Sequence, residues 1–273
     1  MIGLAPSAHR SENAAFAYHD VTDEPGSSGL QRPGAVPYKL SRQAFARHLD
    51  AVASSAVAPE LVTQIDLARP ARHVLLTFDD GGRSALHVGD ELCRRGWRGH
   101  FFVVTSLIGT ATFLDAAGLR RLRSAGHVIG SHSHTHPDIF RELPPERMVE
   151  EWRTSCAILS DILGERCDTA SVPGGDVSRL ALESAGAASL RYLFTSEPWL
   201  TPRMVGDCWV LGRFCPKRET PPERVRALAQ FRGWTSALLV REIKNLARRS
   251  VPALYRLYIR NSTKTRPTAD DER

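Results

Sequence analysis

Short apolar segments alternate with longer amphipathic segments through residues 16–214, and this alternation limits the fold more than any other feature. Apolar, strand-like runs are predicted at residues 16–21, 73–80, 99–106, 127–134, 169–174, 192–196 and 209–214. Helix-type spacing is found at residues 41–53, 83–95, 115–124, 145–163 and 177–185. Strands that alternate with helices form parallel β/α units. About 200 residues of this pattern suit one barrel-like α/β domain better than two separate folds.

Composition supports a folded domain without a covalent framework. The chain has 273 residues, of which 42% are hydrophobic and 24% are charged, as in ordinary globular proteins. With 20 glycines and 5 cysteines, collagen-like and disulfide-knot classes are excluded. The cysteines are scattered and form no CxxC pair, so we expect reduced thiols.

Positive charge is concentrated at the C-terminal end. Residues 216–273 hold 14 Lys and Arg against 6 Asp and Glu, and this surplus exceeds the net charge of +6 of the whole chain. Residues 222–260 have basic, helix-type spacing that Pro252 should break. We therefore predict a barrel domain at 1–215, a basic helical extension at 216–260 and a disordered tail at 261–273.

The basic extension has two interpretations. A basic amphipathic helix can make peripheral contact with an anionic membrane or polysaccharide. Alternatively, it packs against the barrel and keeps its charges in solvent. No nucleic-acid-binding module accompanies the charge, so we expect no nucleic-acid partner.

The sequence predicts a cytoplasmic protein and one unusual loop. No run of about 18 apolar residues is present, and the start lacks a basic region followed by an apolar one, so neither a membrane span nor a signal peptide is predicted. Residues 22–37, called the flap below, are rich in turn-forming residues. Their number predicts a functional element rather than a plain connection.

The first chemical motif is Thr77-Phe78-Asp79-Asp80-Gly81-Gly82, at the end of a predicted strand. Adjacent side chains on a strand point to opposite faces, and two close carboxylates tend to take separate roles. One can bind a metal while the other acts as a base. The alternative is a turn in which one Asp caps the next helix.

The second motif, residues 130–137, places three histidines within five residues: His132, His134 and His136. On a strand they would share one face, and on a helix His132 and His136 would be neighbours. Imidazole is a preferred zinc ligand. Asp80, His132 and His136 are therefore predicted to bind a divalent metal, with zinc expected, and Asp79 to act as general base. A histidine-rich loop without a metal is the alternative.

Together, TFDDGG and HSHTHP resemble the first two motifs of the polysaccharide deacetylases, the chitooligosaccharide deacetylase-homology family of carbohydrate esterases. The resemblance extends from about residue 16 to residue 214. It implies a distorted (β/α)7 TIM-like barrel, a divalent metal that is usually zinc, and hydrolysis of N-acetyl groups on amino sugars. It also implies that Asp79 is the base and that Asp80, His132 and His136 are the ligands.

Two later motifs depart from the family. Its third motif presents an Arg before the Pro, whereas this chain has Ser171-Val172-Pro173-Gly174-Gly175. Its fifth motif ends in a His that acts as acid, whereas this chain has Leu211-Gly212-Arg213. We hypothesise that Arg213 supplies the missing guanidinium and either orients Asp79 or stabilises an oxyanion. The alternative is that Arg213 pairs with a surface acid.

Further residues are predicted to contact the substrate. His19 and His134 are candidates, with Asp79 itself or water, for returning a proton to the leaving amine. Pro173, Gly174 and Glu197 are predicted at the pocket, although Glu197 has the alternative of a solvated acid. Trp199 and Trp209 could stack on a sugar or belong to the core.

The sequence thus predicts a metal-dependent deacetylase that acts on an N-acetylated polysaccharide or glycan precursor, in exopolysaccharide or cell-surface glycan modification. A hydrolase of another acyl amide or ester on the same fold is the first alternative. The second is a catalytically silent glycan-binding protein that keeps the metal. The oligomeric state is not predicted.

Overall fold

The computed structural model describes residues 10–175, 177–250, 259 and 261–263, with 244–250 described by backbone alone. Its eight strands are β1 (Glu12–Tyr18), β2 (Arg72–Phe78), β3 (His100–Val103), β4 (Val128–Ser131), β5 (Thr169–Ser171), β6 (Tyr192–Phe194), β7 (Arg203–Val205) and β8 (Cys208–Leu211). Its helices are α1 (Arg42–Ala53), α2 (Ala85–Arg94), α3 (Ala116–Ser124), α4 (Pro145–Leu163), α5 (Arg179–Ala187), α6 (Pro222–Ala229) and α7 (Trp234–Ser250).

The strands form one curled sheet in the order β1-β2-β3-β4-β5-β6-β8-β7. All neighbours are parallel except β7 and β8. A parallel bridge joins Phe16 of β1 to Phe214, just after β8, and the Ala17 amide donates to the Phe214 carbonyl at 2.8 Å. The seven predicted strands correspond to β1–β6 and β8, and the predicted distorted (β/α)7 barrel is confirmed.

Alternate residues of the strands enter two different apolar layers. Leu76 and Phe101 belong to the cluster that includes Phe45 and Leu49 of α1. Leu75 and Phe102, one residue away, belong to the cluster that includes β6 and β8. Each fully buried Phe or Leu contributes about 1.5–3 kcal/mol. Burial on both faces therefore explains why these strands read as continuous apolar runs.

Helix boundaries follow from capping side chains. The side chains of Ser41, Asp115 and Ser178 accept hydrogen bonds from amides in the first turns of α1, α3 and α5. Such caps satisfy amides that have no partner inside the helix. Gly164, with φ of 70°, ends α4 in the left-handed conformation that glycine adopts without penalty.

The C-terminal region differs from the prediction of one helical pattern over 222–260. It contains two helices, α6 and α7, because the chain turns between them at Phe231 and Gly233, whose φ angles are 61° and 79°. Helix α6 packs against α1, and Trp234 at the start of α7 is buried. The division into a domain and an extension stays a prediction.

Two other predictions concern the end of the chain. Residues 261–263 are helical, although the tail was predicted to begin at 261. Pro252 and residues 264–273 lie outside the described residues. Within the described ranges, none of the helices combines the length and the apolar character that crossing a bilayer requires.

Candidate active site

The two adjacent carboxylates lie where β2 ends and the chain turns sharply. The Asp79 amide donates to the carbonyl of Tyr18 at 2.8 Å and so extends the pairing of β2 with β1. The next residues leave the strand, because Asp80 and Gly81 have φ angles of 76° and 81°. A positive φ is uncommon for Asp, so Asp79 and Asp80 do not continue the regular side-chain alternation of the strand. The two carboxylates consequently have different partners.

The histidine motif forms neither the strand nor the helix considered from sequence. Strand β4 ends at Ser131, and residues 132–136 form a loop in which Ser133 and His136 have φ angles of 65° and 53°. The Ser133 hydroxyl accepts from the His136 amide at 3.0 Å. This turn brings the rings of His132 and His136 to a centroid distance of 5.1 Å.

A buried glutamate of α4 holds the same loop from behind. Glu151 accepts hydrogen bonds from the amides of His134 and Thr135 at 2.9 and 2.8 Å and from the Thr135 hydroxyl at 2.8 Å. The ring of His134 points to Thr105, with Nδ1 3.0 Å from its hydroxyl. His134 is therefore directed away from the other two imidazoles.

Asp80, His132 and His136 bring three metal-ligating atoms within 4.8 Å of one another. Asp80 Oδ1 lies 3.4 Å from His132 Nε2 and 3.8 Å from His136 Nε2. Burial lowers the pKa of both imidazoles and so favours the neutral form that binds metals. Two imidazole nitrogens and one carboxylate oxygen are donors that zinc accepts. These residues could therefore hold a zinc-like ion.

Ser171, at the end of β5, orients one of these imidazoles. His132 Nδ1 lies 2.6 Å from the Ser171 hydroxyl and 3.0 Å from the Ser171 carbonyl. Nδ1 must carry the proton if it donates to that carbonyl, which leaves the lone pair on Nε2, the atom that faces Asp80. The same hydroxyl donates to Asp79 Oδ1 at 3.1 Å. Ser171 thus connects the two halves of the site.

Asp79 forms a bidentate ion pair with Arg213. Arg213 Nη1 and Nη2 donate to Asp79 Oδ1 and Oδ2 at 2.7 and 2.8 Å. Nη1 also donates to the Thr77 hydroxyl, and Nε donates to the Thr195 carbonyl, both at 2.8 Å. Arg213 is fully buried, so the alternative of a surface ion pair is wrong.

The pKa of Asp79 reflects two opposing influences. Burial alone would raise this pKa, but the Arg213 guanidinium, together with His132, lowers it well below the usual range of an aspartate. Asp79 is therefore ionised at neutral pH. An ionised carboxylate next to three convergent metal ligands can accept a proton from water or substrate.

A cavity of about 630 Å³ opens above the site, and not all predicted substrate contacts lie in its wall. His19 and Gly174 line it, together with Asp79, Asp80, His132, His136 and Arg213. His134, Pro173 and Glu197 lie outside the wall. The His134 ring is hydrogen-bonded to Thr105, and Pro173 is buried.

Glu197 and the two tryptophans also occupy other environments than expected. Glu197 is buried and accepts from Arg241 Nε at 2.9 Å, which contradicts the alternative of a solvated acid. Trp209 packs against the interior cluster. Trp199 lies 4.2 Å from the Arg203 guanidinium. Neither tryptophan lines the cavity, so a sugar bound in it would not stack on either ring.

The flap forms part of the cavity wall, for example through Arg32. Hydrogen bonds to Asp20 hold the flap in place. Asp20 Oδ1 accepts from the hydroxyls of Ser28 and Ser84 at 2.5 and 2.9 Å. Lys39 Nζ donates to the carbonyls of Pro25 and Ser28, both at 2.6 Å. The turn-rich sequence predicted this element but not its buried anchors.

Sequence reasoning missed the outer part of the wall. Tyr38, Asp138, Lys217, Arg224, Val240 and Arg241 contribute to it. Arg241 of α7 pairs with Glu197 and also donates to the Gly175 carbonyl. The cluster of basic residues after residue 216 could have indicated a contribution to the cavity wall. The helical spacing of these residues does not show which basic side chain reaches the cavity.

Part of the chain is similar to a known family. Residues 66–193 match the model described as polysaccharide deacetylase. The peptidoglycan-N-acetylglucosamine deacetylase PgdA of Listeria monocytogenes is 28% identical over 173 residues, which are 63% of this chain and 35% of PgdA. The match thus spans about a third of that relative's length.

Solved structures share the fold. The Streptococcus pyogenes deacetylase PplD has a TM-score of 0.66 and 16% identity and covers 82% of this chain and 100% of its own. IcaB from Ammonifex degensii has a TM-score of 0.66 and 21% identity and covers 80% of this chain and 97% of its own.

Proposed function

We propose, from the match of residues 66–193 to the polysaccharide deacetylase family, that this chain hydrolyses N-acetyl groups of an amino sugar in a polysaccharide or glycan precursor. The substrate would belong to an exopolysaccharide or a cell-surface glycan. Asp80, His132 and His136 would hold the divalent metal, with zinc expected. The comparison with PgdA supports an N-acetylated glycan as substrate.

One observation carries this proposal: the adjacent carboxylates have opposite surroundings. Asp80 faces two neutral imidazoles, whereas Asp79 faces a buried guanidinium. This separation suits one ligand and one base. A zinc-like ion bound at the three donors would polarise the acetyl carbonyl and acidify water.

Asp79 is the group that takes the proton from water. Arg213 holds both Asp79 oxygens, fixes the carboxylate orientation and keeps it ionised. Four of the five guanidinium N–H groups have acceptors at Asp79, Thr77 and Thr195. Arg213 therefore acts as a positioning residue for Asp79, which we favour over the oxyanion role.

His19 is our candidate for returning a proton to the leaving amine. It is half-buried and lines the same cavity, and its ring packs on Tyr38 at a centroid distance of 4.9 Å. His134 is a weaker candidate because its ring faces Thr105. The absence of a histidine at position 213 makes such a donor necessary, unless Asp79 or water serves.

Acetate release from an N-acetylglucosamine oligomer tests the proposed function. We expect release by zinc-restored protein and none by metal-stripped protein. Acetate release from simple esters alone would favour the hydrolase of another acyl group. Zinc binding and oligomer binding without release from any substrate would favour the silent glycan-binding protein.

The location and partners remain predictions from sequence. We predict that the protein is cytoplasmic and that it makes peripheral membrane contact through the basic C-terminal helix. We predict no nucleic-acid partner. Helix α7 exposes Leu239, Val240 and Ile243, which is compatible with the peripheral contact. Sedimentation with vesicles of anionic lipid would test that contact.

A further inference from the structure

Two cations in the cavity wall have no carboxylate partner among the described residues. Arg213, Arg32 and Arg241 line the cavity, and each is paired, with Asp79, Asp138 and Glu197 respectively. Lys217 and Arg224 line the same cavity. In the described part of the chain, neither has a carboxylate oxygen within 4.0 Å.

Both cations are held against aromatic rings of the wall. Lys217 Nζ lies 5.3 Å from the centre of the Tyr38 ring, and Tyr38 packs on His19. The Arg224 guanidinium lies 5.8 Å from the centre of the Phe214 ring. Such contacts fix a cation without neutralising it.

Arg224 has further support and free hydrogen-bonding capacity. Its Nη2 donates to the Gly233 carbonyl at 3.0 Å and the Ser236 hydroxyl at 3.2 Å. Its Nε and Nη1, like Lys217 Nζ, donate to no acceptor among the described residues. The position of Arg224 is therefore set by the turn between α6 and α7, while N–H donors remain for a ligand.

The charges of the wall favour an anionic ligand. Among the described residues of the wall, three of the five cations are paired with carboxylates. The remaining carboxylate of the wall, Asp80, contacts only the imidazoles of His132 and His136 in the ion-pair range. Because Asp80 belongs to the proposed metal site, its charge would be matched there. The described residues of the outer wall then carry uncompensated positive charge, and a partly enclosed cavity focuses such a field.

We propose that Lys217 and Arg224 bind an anionic group, a phosphate or a carboxylate, on the sugar next to the one that loses its acetyl group. Guanidinium and ammonium groups recognise both anions. This inference rests on the proposed deacetylase function and narrows its substrate to anionic N-acetylated glycans. The two anions share one chemistry, and the experiment separates them.

The experiment compares three disaccharide substrates of zinc-restored protein. They are N,N′-diacetylchitobiose 1-phosphate, its neutral methyl glycoside, and a methyl glycoside of glucuronosyl-N-acetylglucosamine. We expect kcat/KM for the preferred anionic substrate to exceed that for the neutral one by about tenfold at low salt, since each exposed ion pair contributes modestly. The preference should shrink at 0.5 M salt.

Variants assign the preference to the two cations. The double variant Lys217→Gln with Arg224→Gln should remove the preference, so that its kcat/KM is equal for anionic and neutral substrates. Arg218→Gln is the matched control, because Arg218 is an exposed neighbour of Lys217, lies outside the cavity wall and has its own partner Glu219 at 3.5 Å. The control should behave as the wild type.

Calorimetry with metal-stripped protein separates this inference from the deacetylase proposal. Binding of diacetylchitobiose 1-phosphate that is lost in the double variant supports the subsite even if no substrate releases acetate. Acetate release at equal kcat/KM from all three substrates would overturn the subsite and leave the deacetylase function standing. Equal preferences in the double variant and wild type would overturn it as well.

Discussion

At the scale of single residues, the surroundings of Asp79 distinguish this site from the motif pattern that the chain resembles. The two Asp79 oxygens accept hydrogen bonds from Ser171, at the end of β5, and from Arg213, just after β8. The guanidinium comes from position 213, where the motif that this chain resembles has a histidine, and the segment Ser171-Val172-Pro173 lacks the arginine that the resemblance implies before the proline. The site therefore keeps a guanidinium but supplies it from another strand.

Replacing Arg213 should damage both activity and stability. Arg213→Ala leaves the Asp79 carboxylate buried without its opposite charge, which typically costs about 3–5 kcal/mol. Arg213→Lys keeps the charge but loses the bidentate geometry, and we expect kcat to fall about 10- to 100-fold with KM little changed. Urea unfolding and acetate-release kinetics measure these effects. Unchanged kcat in a folded Arg213→Ala protein would refute the positioning role.

Ser171 should affect the metal as well as the base. Ser171→Ala removes the hydroxyl next to His132 Nδ1 but keeps the backbone carbonyl, so we expect zinc affinity to fall about tenfold, as for other groups that support metal ligands. Competition with a chelator measures this affinity. Ser184→Ala is the control, because its buried hydroxyl accepts from Trp152 Nε1 at 3.0 Å and touches no ligand. Equal losses of zinc affinity in both variants would refute the role of Ser171.

Local sequence was sufficient to single out the proposed ligands and the proposed base but not the residues that support them. Asp79, Asp80, His132 and His136 were recognisable because each pair lies within a few residues. Arg241 was not, because its contact with Glu197 joins residues 44 apart. The left-handed backbone of Asp80, Ser133 and His136 was also missed, since residues other than glycine rarely adopt it.

At the scale of elements, the histidine loop depends on α4. The loop presents two amides and one hydroxyl to the carboxylate of Glu151, which is 5% exposed. These bonds fix the backbone from which His132 and His136 project. The helix was predicted from its spacing, but its role in holding the loop depends on one buried charged residue.

Glu151→Gln should loosen this loop. A neutral amide in place of the carboxylate would weaken the charge-assisted hydrogen bonds from the two backbone amides and turn the Thr135 hydroxyl from donor to acceptor, at a cost of about 1–2 kcal/mol. Urea unfolding measures the loss of stability, and chelator competition should show weaker zinc binding. Glu150→Gln is the matched control, because Glu150 is exposed and pairs with Arg147 on the same helix. Equal stability of the two variants would contradict this account.

Strand and helix positions followed the sequence where periodicity was strong. Strand β2 and helix α4 correspond closely to their predictions. The turn at 230–233 and the short strand β7 were not predicted. Phe231 adopts positive φ in that turn, and β7 is only three residues long with two exposed residues. Neither feature produces a periodic pattern.

At the scale of the whole molecule, the barrel contains buried histidines whose hydrogen bonds require the neutral imidazole. His100 Nε2 accepts from the Val62 amide at 2.9 Å while Nδ1 lies 3.0 Å from the Leu76 carbonyl. His127 Nδ1 accepts from the Gly99 amide at 3.2 Å. Protonation would place a donor against a donor at each site. Burial accordingly lowers the pKa of each ring to about 4.

This arrangement predicts loss of stability in mild acid. An unfolded histidine has a pKa of about 6.5, so the unfolded chain takes up protons before the folded one does. The free energy of unfolding should therefore fall as the pH drops from 6.5 to about 4, by about 1–3 kcal/mol for each histidine. Urea unfolding of metal-free protein at pH 7, 6 and 5 measures the slope. Constant or rising stability over this range would contradict the prediction.

The central claim is that Asp79 and Asp80 have separate roles, and two isosteric variants test it directly. Zinc affinity and acetate release from an N-acetylglucosamine oligomer should be measured for Asp79→Asn, Asp80→Asn and wild type. We predict that Asp79→Asn binds zinc but loses at least about 100-fold in kcat, whereas Asp80→Asn loses zinc affinity. Equal loss of zinc in both variants, or near-normal turnover by Asp79→Asn, would contradict the account.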